Sequence, residues 1–95
     1  MEIAYRMYPL PNGTTYTEAD IQTVDDVVRL FDYCQIWEAY ITKEGWNYLI
    51  EKFGMNELYE ADIRSGWFEC PSVEEFAEAV ASEMDVTEKV IKTHD

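Results

Sequence analysis

Two hydrophobic rhythms divide the chain. Val24, Val27, Val28, Phe31 and Cys34 keep the i, i+3, i+4, i+7 spacing of one helical face. Thr23 before them and Asp26 three residues on form a capping pair, with Asp25, Asp26, Arg29 and Asp32 left for solvent. A second helix is predicted over 73–84, where Val73, Phe76, Ala77, Val80, Ala81 and Met84 make the buried face and Glu74, Glu75, Glu78 and Glu83 point to water. Elsewhere the apolar runs are short and aromatic. Residues 2–8 alternate loosely and predict a strand, stopped by the turn chemistry of Pro9-Leu10-Pro11-Asn12-Gly13. Residues 36–42 predict a strand, and Lys43-Glu44-Gly45 offers a hairpin turn into 46–50. The spacing of Trp46, Leu49, Ile50 and Phe53 is equally that of a helix ended by Gly54. Asn56 to Glu60 is expected as loop and Asp62 to Cys70 as a strand. Residues 86–93 fit either an edge strand or a short helix capped by Asp85 with Glu88. The expectation is one α+β domain over 1–95, a mainly antiparallel sheet with two helices packed on one face.

The run from Gly66 to Val80 joins the last aromatic segment to the second helix. Pro71 forbids a regular element through the junction, and Ser72 with Glu75 supplies a capping box just after it. The pentapeptide Glu18-Ala19-Asp20-Ile21-Gln22 is echoed by Glu60-Ala61-Asp62-Ile63-Arg64, a match short enough for chance.

An apolar share of 47% and an aromatic share of 15% in 95 residues are enough for one core, which excludes a disordered acidic tail. Cys34 and Cys70 sit in apolar surroundings and are expected as buried, reduced thiols. The first residues lack the basic and apolar regions of a secretion signal, and no apolar run reaches membrane-spanning length, so a cytoplasmic location is expected.

Chemistry-bearing constellations are scarce. The single His94 stands next to last, a frayed place for a base or ligand. The glycines at 13, 45, 54 and 66 are isolated, so no phosphate-binding loop exists, and Cys34, Cys70 and His94 have no zinc-site spacing. Carboxylate pairs arise by chance among twenty acids. No enzymatic activity, cofactor or metal is expected.

Charge changes the picture more. Twenty acids against seven bases give a net −13, a balance that repels nucleic acid and anionic membranes and attracts a basic protein. The segment 57–88 holds ten acids and one base, Arg64, and so nine of the thirteen net negatives. Carboxylates on successive helical turns stand about 5–6 Å apart. That is the scale of phosphates along one strand of a duplex, about one charge per 3.4 Å of axis on a strand that also winds. Glu60, Asp62, Glu69, Glu74, Glu75, Glu78, Glu83 and Asp85 are the candidate partner-binding residues. The plain alternative is a solvated helix face that serves solubility.

Gly66-Trp67-Phe68, Pro71, Glu74-Glu75 and the closing Val90-Ile91-Lys92-Thr93-His94-Asp95 resemble the ArdA-type antirestriction proteins, whose domains run through a Gly/Trp strand end, a proline, an acidic helix and a strand ending in His-Asp. Trp46 to Ile50 and Tyr59-Glu60 correspond to that domain's first strand and following loop, so the resemblance spans 46–95. It implies a DNA mimic, commonly dimeric, that occupies the nucleic-acid groove of a host defence protein; small acidic anti-CRISPR proteins share this size and charge, so the target is a restriction-modification or a CRISPR effector. The other reading is an acidic protein–protein adaptor with an aromatic face of Trp37, Tyr40, Trp46 and Trp67.

Overall fold

Thr23 starts the first helix as its spacing predicts. Its hydroxyl accepts the Asp26 N–H at 3.3 Å, and Asp26 Oδ2 accepts the N–H groups of Thr23 (3.0 Å) and Gln22 (2.9 Å). The structure, a computed structural model, describes residues 1–6 and 16–94; the turn expected at Pro9–Gly13 and the end of the first strand lie outside them. Helix α1 (Val24–Trp37) buries Val27, Leu30, Phe31 and Cys34, and ends where Glu38 turns into the left-handed region at φ 51°.

Among the described residues the remaining regular elements are β1 (Ala4–Tyr5), a 3-10 turn at Glu18–Asp20, β2 (Tyr40–Ile41), α2 (Lys43–Phe53), α3 (Met55–Ser65) and α4 (Val73–His94). The expected mainly antiparallel sheet is therefore overturned. The described residues form a packed set of four helices, and β1 and β2 form only a two-residue antiparallel ribbon, with Ala4 opposite Ile41 and Tyr5 opposite Tyr40. Residues 36–37 finish α1, residues 55–65 are helix rather than loop and strand, and 86–94 continue α4 rather than starting a new element.

The physical reason shows best at the expected hairpin. Thr42 donates its N–H to Ile3 O at 2.8 Å, which closes the ribbon with the N-terminal strand instead of with 46–50. The same residue then caps α2: its hydroxyl accepts the Gly45 N–H at 2.9 Å and donates to Glu2 O at 2.9 Å. With that cap in place the helical spacing of Trp46, Leu49, Ile50 and Phe53 wins. Trp46 and Leu49 enter the core, and Gly54, at φ 86°, ends the helix as its position predicts. The echoed pentapeptides take different conformations, a 3-10 turn at 18–20 and the middle of α3 at 60–64.

Gly45 is needed for close approach, not for a turn. A Cβ there would lie 2.7 Å from Ile3 O and 2.9 Å from Thr42 Oγ1. Gly45→Ala gains helix propensity of up to about 1 kcal/mol but forces the strand off the helix, an overpacking cost of about 1–3 kcal/mol. A net loss is expected in urea unfolding; a gain would show that Ile3 is not seated on α2.

Inside, Phe31, Trp46, Phe76, Leu58, Leu49 and Val80 form one core with Ile3, Ile21 and Ile41. Helix α1 packs on α3, and α4 lies across α2, α3 and β2.

Candidate functional site

The segment 66–72 is a loop, not a strand end, and Asp62 builds it. Asp62 is fully buried; its Oδ1 accepts the Phe68 N–H at 2.8 Å, and the N–H groups of Glu69 and Cys70 act on the same carboxylate. Gly66 (φ 70°) and Glu69 (φ 56°) supply the left-handed turns that aim these donors inward. Tyr59 donates its hydroxyl to Cys70 O at 2.8 Å. The loop aromatics then close the core: Trp67 stacks on Phe68 (4.4 Å, 27°) and lies parallel to Trp46 (6.2 Å, 9°). Burial pushes the Asp62 carboxyl above its ordinary range, against the pull of the three N–H groups.

This loop sets the start of α4. Ser72 Oγ accepts the Glu75 N–H at 3.2 Å, the forward half of the expected capping box. Phe76, Val80 and Thr87 are buried along the inner seam of this 22-residue helix, which is about 33 Å long at 1.5 Å per residue. Glu74, Glu75, Glu78 and Asp85 are exposed on the other side. Glu74, Glu78 and Asp85, spaced i, i+4, i+11, belong to one ridge, and Glu75 flanks it.

Of the eight residues expected to bind a partner, six stay at the surface: Glu60, Glu69, Glu74, Glu75, Glu78 and Asp85. Asp62 is a correction, because it faces inward and organises the loop. Glu83 is half-buried on the seam between Val80 and Thr87, where burial pushes its carboxyl upward. Sequence reasoning placed it outside because a helix ending at 84 put Ala81 and Met84 inside. Ala81 is exposed, and the longer helix carries its seam through 83 and 87.

Arg64, the one base within the acidic segment, is drawn away from α4 by an ion pair with Asp25 at 2.7 Å. Glu88 meets Lys43 at 4.0 Å. Glu74, Glu75 and Glu78 enter no ion pair among the described residues. The first two lie in the first turn, where the helix dipole favours anions, and Glu78 lies beyond it.

An open depression of about 470 Å³ lies on another side, between the end of α1, β2, the 66–70 loop and the inner edge of α4. Cys34, Gln35, Glu38, Tyr40, Trp67, Phe68 and Glu83 are among its lining residues, and no motif in the sequence marks it. Cys34 is a free thiol, as is Cys70. Burial, with Glu83 nearby, pushes the Cys34 thiol far above its ordinary value, so it is no nucleophile at neutral pH. Of the four anchors of an aromatic face, Trp46 is fully buried and Trp67 is partly buried against the core; Trp37, 44% exposed, lies under the Arg6 guanidinium at 4.9 Å. Among the described residues no group of three or more His, Cys, Asp or Glu side chains could hold a metal ion, and no helix is long and apolar enough to cross a membrane.

Comparison with protein-family models, curated proteins and solved structures finds no match for this chain.

Proposed function

We propose that this chain is a non-enzymatic inhibitor whose outer α4 ridge enters the basic nucleic-acid groove of a partner protein and keeps the nucleic acid out. The observation that carries this reading is the placement of Glu74, Glu75, Glu78 and Asp85, exposed on one long helix, the first three without ion pairs. Like charges at i, i+4 cost an isolated helix about 0.2–0.5 kcal/mol per pair, and nothing in the packing of α4 requires Glu78. Glu74 and Glu78, one turn apart at about the spacing of backbone phosphates, with Glu75 beside them and Asp85 two turns on, offer a groove of Lys and Arg a preformed set of carboxylates. The resemblance at Gly66–Asp95 narrows the partner to a defence enzyme, a restriction-modification or CRISPR effector. In the fold residues 66–94 occupy a loop and one helix, so the resemblance supports the reading through residue identity alone.

Purified protein immobilised in cell lysate and washed with a salt gradient tests this. Nucleic-acid-binding proteins are expected to elute at moderate salt and to be displaced by free DNA, because exposed charge contacts are screened within about 10 Å at 0.1 M salt. Partners that resist salt and ignore DNA would refute the reading.

A further inference from the structure

Glu83 is partly withdrawn from water on the packed side of its helix. It sits half-buried on the inner seam of α4, and neither it nor Glu38 forms an ion pair among the described residues. A carboxylate partly withdrawn from water is disfavoured in its charged form, and a bound cation offsets that cost. Both residues line the depression of about 470 Å³, from different elements, and Trp67, Phe68 and Tyr40 supply its aromatic wall.

We propose that this depression receives an arginine side chain of a partner protein, its guanidinium held by Glu83 and Glu38 against the wall of Trp67 and Phe68. Arginine fits better than lysine because its planar, weakly hydrated head stacks on rings and forks to carboxylates. The chain already seats one guanidinium against aromatic rings: Arg6 lies 4.9 Å from the Trp37 ring centre and 5.7 Å from that of Tyr33. A protein side chain fits better than a free small molecule because the depression is open. Sites for small ligands enclose most of the ligand surface; this one is open, so a lone arginine is held weakly but saturably, and a covering protein surface adds the rest. Glu74, Glu75, Glu78 and Asp85 are not among the lining residues, so the inference does not depend on the outer ridge.

The test is a titration of the ¹⁵N-labelled protein with arginine blocked at both ends (acetyl and methylamide), followed by NMR. Blocked lysine and blocked citrulline, the neutral isostere, serve as comparisons. Saturable shifts are expected at the Trp67 indole N–H and at the amides of Gln35, Ala39 and Tyr40, weaker with lysine and absent with citrulline. Glu83→Gln, which removes a charge-assisted contact, is expected to weaken binding about tenfold. It also removes a half-buried charge, so the variant remains folded. Glu74→Gln is expected to titrate like the parent. An equal response to citrulline, no saturable shift, shifts confined to the outer ridge, or an unchanged titration in Glu83→Gln would each overturn the proposal.

Discussion

Asp62→Ala is expected to lower stability by about 3 kcal/mol, the range for stranding buried hydrogen-bond donors. The carboxylate accepts the Phe68 N–H, and without it that N–H loses its partner while those of Glu69 and Cys70 lose its field. Trp67 and Phe68 then lose the backbone that seats them on Trp46 and Phe31. For a domain of this size the melting temperature should fall by roughly 12–24 °C. Asp62→Asn retains one acceptor oxygen and should cost distinctly less. Equal, small losses for both variants would show that the loop holds itself by its aromatics alone.

The same group gives a pH signature. Asp62 and Glu83 have folded-state pKa values raised by burial, so each disfavours the fold when charged. Their contribution is fully present below the ordinary carboxylate range and is lost as pH rises through the raised values. Asp26 behaves in the opposite sense. Hydrogen bonds from the Gln22 N–H, the Arg29 guanidinium and the Thr23 N–H hold its carboxyl well below the usual range, so its contribution is lost only in strong acid. The urea midpoint should therefore rise from neutral to mildly acidic pH before it falls. The double variant Asp62→Asn, Glu83→Gln should flatten the rise; a steady fall from neutrality in the parent would contradict the assignment.

Replacing Glu74, Glu75 and Glu78 together by Lys is expected to reduce capture of the DNA-binding partner by at least about 100-fold. Close charge pairs at protein interfaces couple by about 1.5–7 kcal/mol, so several reversals acting together reach that size even at an exposed rim. The fold should survive, because all three side chains are exposed. Lysines in the first turn oppose the helix dipole by about 0.3–1 kcal/mol each, while the relief of crowding among acids acts the other way. The control is Glu44→Lys, Glu51→Lys, Glu57→Lys, which changes charge equally at exposed positions elsewhere. If both triples lose binding alike, total charge matters and the α4 ridge has no special role. If neither does, the ridge is only a solvated face.

Much of the architecture lay within reach of local pattern. Thr23 with Asp26, Ser72 before α4 and Gly54 after α2 are capping signals whose physics is short-range, and each marks a real boundary. The acidic ridge was also legible, because exposure at Glu74, Glu75 and Glu78 follows from a helix whose other face is apolar. The middle of the chain was not. Aromatic runs such as Trp46–Ile50 satisfy strand propensity and helical spacing at once, and only the strand available to pair with decides between them. Here β1 pairs with Tyr40–Ile41, and Thr42 turns the chain into α2. The same ambiguity made 62–70 resemble a strand: Leu58 and Ala61 have helical spacing, but Trp67 and Phe68 are aromatic because they seal the core from a loop.

By itself, then, the sequence determined a folded, strongly acidic chain, with helices starting at Thr23 and Ser72 and a concentration of carboxylates from 57 to 88. Those properties follow from composition, capping and periodicity, which act over a few residues. Tertiary structure decided that the sheet shrinks to a ribbon, that Asp62 turns inward to hold a loop, and that Glu83 faces a depression beside Trp67. Each of these depends on which distant segment arrives as a partner. A carboxylate is exposed or buried according to what packs over it, and neighbours in sequence do not carry that information.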